Sequence, residues 1–256
     1  MELGDEIYEE QVIRGSIQEK IFPIGQVKSD FEEAQVVYDA FQCHEWVHDI
    51  GRILHRDISM NNLMFRRIDG EVYGVLNDFD LATGIDDLDR TPTSKHRAGT
   101  RPFMAHEQHS DKWNGPPRYR HDAESFFYLI LMLGCNYSKP GTKVENAPYG
   151  SWFDAGDQHL YLSKRVLYTE GVFLPPTKRS GYEEWGRQIQ RLLIRGFNAR
   201  LSFELDRDNE PDGGSFNQDT LGGHFTADKL REVLSRFDNR IVISRDPAKL
   251  YLNFPS

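Results

Sequence analysis

The strongest constraint on this chain is a set of three polar stretches threaded between short apolar runs over residues 53–107. Ile53-Leu54 leads into His55-Arg56-Asp57-Ile58-Ser59-Met60-Asn61-Asn62. Leu63-Met64-Phe65 and Val72-Tyr73-Gly74-Val75-Leu76 follow, separated by Ile68-Asp69-Gly70, and then comes Asn77-Asp78-Phe79-Asp80. Asp-Gly between two apolar runs is a hairpin signal, because the tight turn needs positive φ at both positions. Asp57 and Asp78 are therefore separated by one hairpin. The third stretch, Gly99-Thr100-Arg101-Pro102-Phe103-Met104-Ala105-His106-Glu107, lies beyond a polar segment at 83–98 that reads as a loop.

Helical patterns flank this region. Phe31, Ala34, Val37-Tyr38, Phe41, Trp46-Val47 and Ile50 recur near a period of 3.6, with Gly51 as a stop. Ser125 to Cys135 is apolar on nearly every face and predicts a helix buried all round. A further helix is expected from about Tyr182 to Phe197 after the Pro175–Gly181 linker, and a last one from Thr226, whose hydroxyl is a capping candidate. Residues 206–223, rich in Asp, Asn, Gly and Ser, predict a mobile loop. Lys164 and Arg165 read as a solvated helix face.

Composition narrows the partners. Apolar residues make up 38% of the 256 and the net charge is −9, with no basic run, which argues against a nucleic-acid partner. Cys43 and Cys135 form no disulfide framework or metal-ligand set, and both fall in helical apolar patterns as buried free thiols. The acidic start, Met1-Glu2-Leu3-Gly4-Asp5-Glu6, has no signal-peptide core. The longest apolar run, Phe126–Leu133, is far shorter than the ~20 residues that span a bilayer. An intracellular protein with no membrane partner is expected.

The motifs taken together identify a family resemblance. His55-Arg56-Asp57-Ile58-Ser59, residues 74–82, Pro102-Phe103-Met104-Ala105 and Tyr119-Arg120-His121-Asp122-Ala123-Glu124-Ser125-Phe126 closely resemble the fungal-type protein kinase family, firmly from about Phe31 to Leu133. The resemblance implies a protein-kinase-like α+β fold, mainly a helical C-lobe with short β-hairpins carrying the catalytic and metal loops. It implies residues 1–30 as a hinge or remnant of the nucleotide-holding N-lobe, and 31–256 as the C-lobe. No Gly-x-Gly-x-x-Gly precedes His55, and the only earlier lysines are Lys20 and Lys28, so the ATP-anchoring lysine has no counterpart.

Carried over, Asp57 is the catalytic base and Arg56 sits under the activation segment, where it can pair with a phosphate. Asn62 and Asp78 hold magnesium and, through it, ATP; Asp80 is a further metal candidate. Thr100 braces the substrate-binding loop toward Asp57. Glu107 makes a buried ion pair with a late arginine, with Arg200 the candidate, and Asp122 holds the backbone of the His55-Arg56 turn. The activity implied is magnesium-dependent transfer of the ATP γ-phosphate to a Ser or Thr hydroxyl of a protein substrate.

Three positions depart from the pattern. Ser59 stands where such kinases carry a phosphate-contacting lysine, Asp80 replaces the glycine of Asp-Phe-Gly, and His106 replaces a proline, read as a minor change. A catalytically silent C-lobe acting as a binding module is the alternative. A small-molecule phosphotransferase shares the Asp57/Asn62 spacing but lacks the Gly99–Glu107 segment. His44-Glu45-Trp46-Val47-His48 also spells a zinc-protease motif, but the extended form needs a histidine where Leu54 stands. Thr91, Thr93 and Ser94, beside Lys95, His96 and Arg97, are candidate phosphorylation sites.

Overall fold

A computed structural model describes residues 20–88, 99–169, 179–207 and 215–245. The candidate phosphorylation sites at 91–94, most of the 175–181 linker and the first nineteen residues lie outside the described residues.

The fold is built on two helices, one buried over its middle and the other along nearly its whole length. Helix α1, Asp30–Asp49, starts where the Ser29 hydroxyl accepts a hydrogen bond from the Glu32 N–H, with Asp30, Glu32 and Glu33 favourably placed against the helix dipole. The Glu33–Phe41 stretch is buried throughout. Helix α2, Tyr119–Asn136, is buried from Arg120 to Asn136, as its unbroken apolar run requires. Phe41 of α1 meets Phe126 of α2 edge to face at 5.5 Å.

Around this pair lie short strands and three further helices. β1, Phe22–Pro23, pairs antiparallel with β3, Leu63–Ile68, which in turn pairs with β4, Glu71–Leu76. The β3–β4 turn places Asp69 at φ 51° and Gly70 at φ 86°, as its Asp-Gly sequence predicts. β2, Ile53–Leu54, pairs with β5, Thr83–Gly84, so the start of the expected 83–98 loop is a strand. Beyond α2 come the small hairpin β6–β7 (Tyr137–Lys139, Thr142–Lys143), α3 (Asp157–Thr169), α4 (Ser180–Arg207), α5 (Ala227–Leu234) and the hairpin β8–β9 (Arg236–Phe237, Arg240–Ile241). Thr226 caps α5, its Oγ1 accepting from the Lys229 N–H at 3.3 Å. No helix among the described residues is long and apolar enough to cross a membrane.

Several expectations need correction. α4 extends ten residues past Phe197, because Arg200 and the residues after it keep helical backbone on the protein's rim. The 206–223 segment is not one mobile loop. Its first two residues end α4, residues 208–214 lie outside the described set, and 217–223 form a turn in which Leu221 is fully buried against Gly196. Lys164 does not face solvent: it is fully buried, whereas Arg165 is exposed. Leu160, Lys164, Leu167 and Tyr168 are the buried positions of α3, so Lys164 sits on the core-facing i, i+4, i+7, i+8 stripe. Cys135 is buried and Cys43 half-buried, and burial pushes their thiols up to about 12 and about 11.

α1 packs directly on the site hairpin at Gly74. A Cβ there would lie 2.5 Å from the Val36 carbonyl oxygen and 2.8 Å from Asp39 Cβ. The Gly74 N–H donates to the Asp39 carboxylate at 2.8 Å, and burial raises that carboxyl to about 6. Gly74→Ala is expected to cost about 1–3 kcal/mol by overpacking, read as a lower urea midpoint at unchanged slope. An unchanged midpoint would show that the hairpin can lift away from α1.

Candidate active site

The His55–Asn62 turn leaves β2 of one small sheet and enters another at β3, so both its ends are fixed by strands. Within it His55 orders the backbone. Its Nδ1 accepts from the Asp57 N–H at 3.3 Å, and its Nε2 lies 3.0 Å from the Asn77 carbonyl oxygen. Burial lowers the His55 pKa, so a neutral ring with the proton on Nε2 satisfies both contacts. Phe79 covers this ring at 4.6 Å between centroids. One imidazole thus ties the first polar stretch to the second.

Arg56 sits at φ 68°, a backbone conformation that a non-glycine residue adopts at a cost. Asp122 holds it there. Asp122 Oδ2 accepts the His55 N–H at 3.0 Å, Oδ1 accepts the Arg56 N–H at 3.1 Å, and His44 Nε2 lies 3.0 Å from Oδ2. Burial works to raise the Asp122 carboxyl, but His44 and the backbone donors outweigh it and hold it low. The half-buried Arg56 guanidinium donates to Thr83 Oγ1 at 2.6 Å.

Asp57 is then gripped from two sides. Asn62 Nδ2 donates to Asp57 Oδ2 at 2.9 Å and to its carbonyl oxygen at 2.8 Å, while the Thr100 N–H donates to Oδ1 at 2.7 Å. Thr100 therefore acts through its backbone amide. The approach of that segment needs Gly99, at φ 122°, where a Cβ would fall 2.9 Å from the Arg56 carbonyl oxygen. The structure brings Arg56, Asp57, Asn62 and Thr100 together, and the Asn77 N–H donates to the Asn62 carbonyl oxygen at 2.9 Å to bring the 77–80 turn alongside.

Asp78 and Asp80 are both exposed on that turn. The left-handed residue is Asp78, at φ 63°, so the freedom given up by replacing glycine at position 80 is not required there. The Asp80 N–H points to Asp78 Oδ1 at 3.4 Å. Among the described residues no three His, Cys, Asp or Glu side chains converge to hold a metal unaided. Asn62 Oδ1 with the two carboxylates is an all-oxygen donor set, and Mg²⁺ is ordinarily held by one or two carboxylates plus substrate phosphates. The donor chemistry fits.

His44-Glu45-Trp46-Val47-His48 is used otherwise. His44 bonds Asp122, Glu45 pairs with Arg231, and His48 pairs with Asp49 at 2.7 Å. Both histidine rings pack on Tyr119.

The family model described as fungal protein kinase matches residues 8–134, which spans every site residue above. Over that stretch the chain is similar to the fungal protein kinase family. The match implies a kinase-like fold, with which the helical body and small sheets agree. No curated protein matches the chain at a significant level.

Within the matched stretch the 100–107 segment is anchored by buried charges. Glu107 Oε2 accepts from Arg200 at 2.7 Å, while Oε1 accepts from His121 at 2.7 Å and from Arg120. Burial would raise this carboxyl, but these partners hold it far below the carboxylate range. Sequence reasoning reached Arg200 and missed Arg120 and His121, although both stand in the 119–126 motif. His106 is no minor change: its N–H donates to Glu124 Oε1 at 2.7 Å, a bond that proline cannot make. Glu124, with His106, Tyr128 and Tyr168 around it, is held at about 2 against the opposing effect of burial.

Lys164 completes the anchor. Its Nζ lies 2.5 Å from the Met104 carbonyl oxygen, 3.3 Å from that of Arg101 and 3.1 Å from His109 Nε2, over the face of Tyr128. Burial lowers its pKa well below the usual value. His109 in turn faces Asp157 at 2.9 Å, and Asp157 faces Arg101 at 3.1 Å. Burial, with Lys164 beside it, lowers His109 to about 4 from 6.5. Between those values only the unfolded chain takes up the proton, so wild-type stability drains away as pH falls through that window. The margin of wild type over His109→Gln is expected to hold above pH ~6.5 and shrink by up to about 3 kcal/mol toward pH ~4. Paired urea titrations across that range check it; a pH-independent margin would mean that His109 titrates as if solvated.

Proposed function

We propose that this chain is a protein serine/threonine kinase that transfers the ATP γ-phosphate to a protein hydroxyl with magnesium as cofactor. The observation that carries the reading is Asp57, whose two carboxylate oxygens are aimed by Asn62 Nδ2 and the Thr100 N–H. Each oxygen keeps a second lone pair, so the carboxylate can still accept a substrate hydroxyl proton. Asn62 Oδ1, Asp78 and Asp80 would hold magnesium, which supplies charge neutralisation at the phosphates.

Asp57 orients the incoming hydroxyl and receives its proton as the oxygen bonds to the γ-phosphorus. The bond from that phosphorus to the bridging oxygen breaks, and ADP leaves with the electron pair. Thr100 and Gly99 fix the substrate loop against the base, which is the positioning that dominates phosphoryl transfer. Arg56 stands next to this loop and would pair with a phosphate on the activation segment. ATP as co-substrate implies an intracellular setting, and the acidic chain gives no support to a nucleic-acid or membrane partner.

A second reading, a kinase-derived binding module, is favoured by Ser59. It is buried, its Oγ has no hydrogen-bond partner among the described residues, and it leaves the γ-phosphate without the lysine charge. Radiolabelled ATP with wild type and Asp57→Asn separates the two. The expected result is autophosphorylation that falls about 10²–10⁴-fold in the variant, with no change in Tm. Activity retained by Asp57→Asn would remove the base assignment, and a silent wild type would favour the module.

A further inference from the structure

A cleft of about 640 Å³ opens between the start of α2, the 106–115 segment, α3 and α4. None of Asp57, Asn62, Asp78 or Thr100 lines it. Its charge runs against that of the whole molecule. The chain carries −9, yet Lys112, Arg118, Arg120, Arg165 and Arg200 line this cleft against only two carboxylates, Glu107 and Glu204. Both carboxylates are already engaged by Arg200, and Glu107 also by Arg120.

The remaining cations are accessible. Lys112 and Arg165 are exposed and have no carboxylate partner among the described residues, and Arg118 has Asp219 at 3.0 Å on the rim. Deeper in, Arg120 is 1% exposed, with Nε on the Gln218 carbonyl oxygen and Nη1 without a hydrogen-bond partner among the described residues. A buried guanidinium with an unmatched donor is costly and favours an incoming acceptor.

The walls are apolar. Trp113, Tyr161, Phe197 and Leu201 line the cleft, and Leu201 is 56% exposed. A small anion would leave that surface uncovered, whereas a polypeptide would cover it.

We propose that this cleft docks an acidic segment of a partner protein, its carboxylates over Lys112, Arg118 and Arg165 and an apolar side chain against Phe197 and Leu201. Charge complementarity of this kind sets partner choice and capture rate. The site is separate from the phosphotransfer residues, so the assignment does not depend on catalysis.

Fluorescence anisotropy on the full chain tests it, using a labelled peptide of sequence Glu-Glu-Tyr-Leu-Glu-Glu and a counterpart with lysine for glutamate. The acidic peptide is expected to bind, more weakly as salt rises, and the lysine peptide not to bind. Arg165→Glu and Lys112→Glu, both at exposed positions, are each expected to weaken binding about tenfold. Lys139→Glu, an exposed charge outside the cleft, and Asp57→Asn should leave it unchanged. Melting curves of the variants check that each is folded. No binding of the acidic peptide, equal binding of the lysine peptide, or indifference to both cleft variants would overturn the proposal. Displacement by an equal concentration of inorganic phosphate would also overturn it, because the site would then be a simple anion pocket.

Discussion

The Asp122 carboxylate, in the first turn of α2, accepts hydrogen bonds from the His55 and Arg56 backbone amides and faces the His44 ring. A carboxylate this deeply buried is tolerated only when its oxygens are matched by donors, and here backbone and imidazole supply them. In return the carboxylate holds Arg56 in a left-handed conformation that would otherwise relax. That bend presents Asp57 to Asn62 and Thr100. The geometry of the candidate site at the surface is thus set by a charge in the core.

The same helix turn performs this service in several directions. Arg120 and His121 reach Glu107, Asp122 reaches α1 and the His55–Asn62 turn, and Glu124 reaches His106 and the tyrosines of α2 and α3. Successive residues of a helix point about 100° apart, so one turn of ionisable side chains grips separate segments. Lys164 adds a grip on the Arg101 and Met104 carbonyls from α3. Breaking any one of these by removing a single partner leaves a buried charge unmatched, which is why such groups cost so much to lose.

Much of the site was legible because its signals are local. Asp69-Gly70 forces the hairpin, Gly99 permits the close approach to Arg56, and the Asp57–Asn62 spacing fits one turn between two strands. The all-apolar run of α2 announced a buried helix. The buried charges were harder to read. Lys164 lay on the apolar stripe of α3, which was the available signal, but a lysine is so rarely fully buried that the exposed reading won. His106 looked minor because its partner, Glu124, is eighteen residues further on, and no local pattern links them. The length of α4 and the anchoring of Leu221 depend on tertiary packing that a polar sequence does not announce.

Amide hydrogen exchange at His55 and Arg56, compared between wild type and Asp122→Ala, tests the central claim most directly. The account expects these two amides to be protected in the wild type. In Asp122→Ala they should exchange faster than the amides of α1, with an overall stability loss of about 1.5–3 kcal/mol for hydrogen bonds to a charged group. Unchanged protection at His55 and Arg56 in a folded Asp122→Ala would contradict it, because the His55–Asn62 turn would then be holding its own shape.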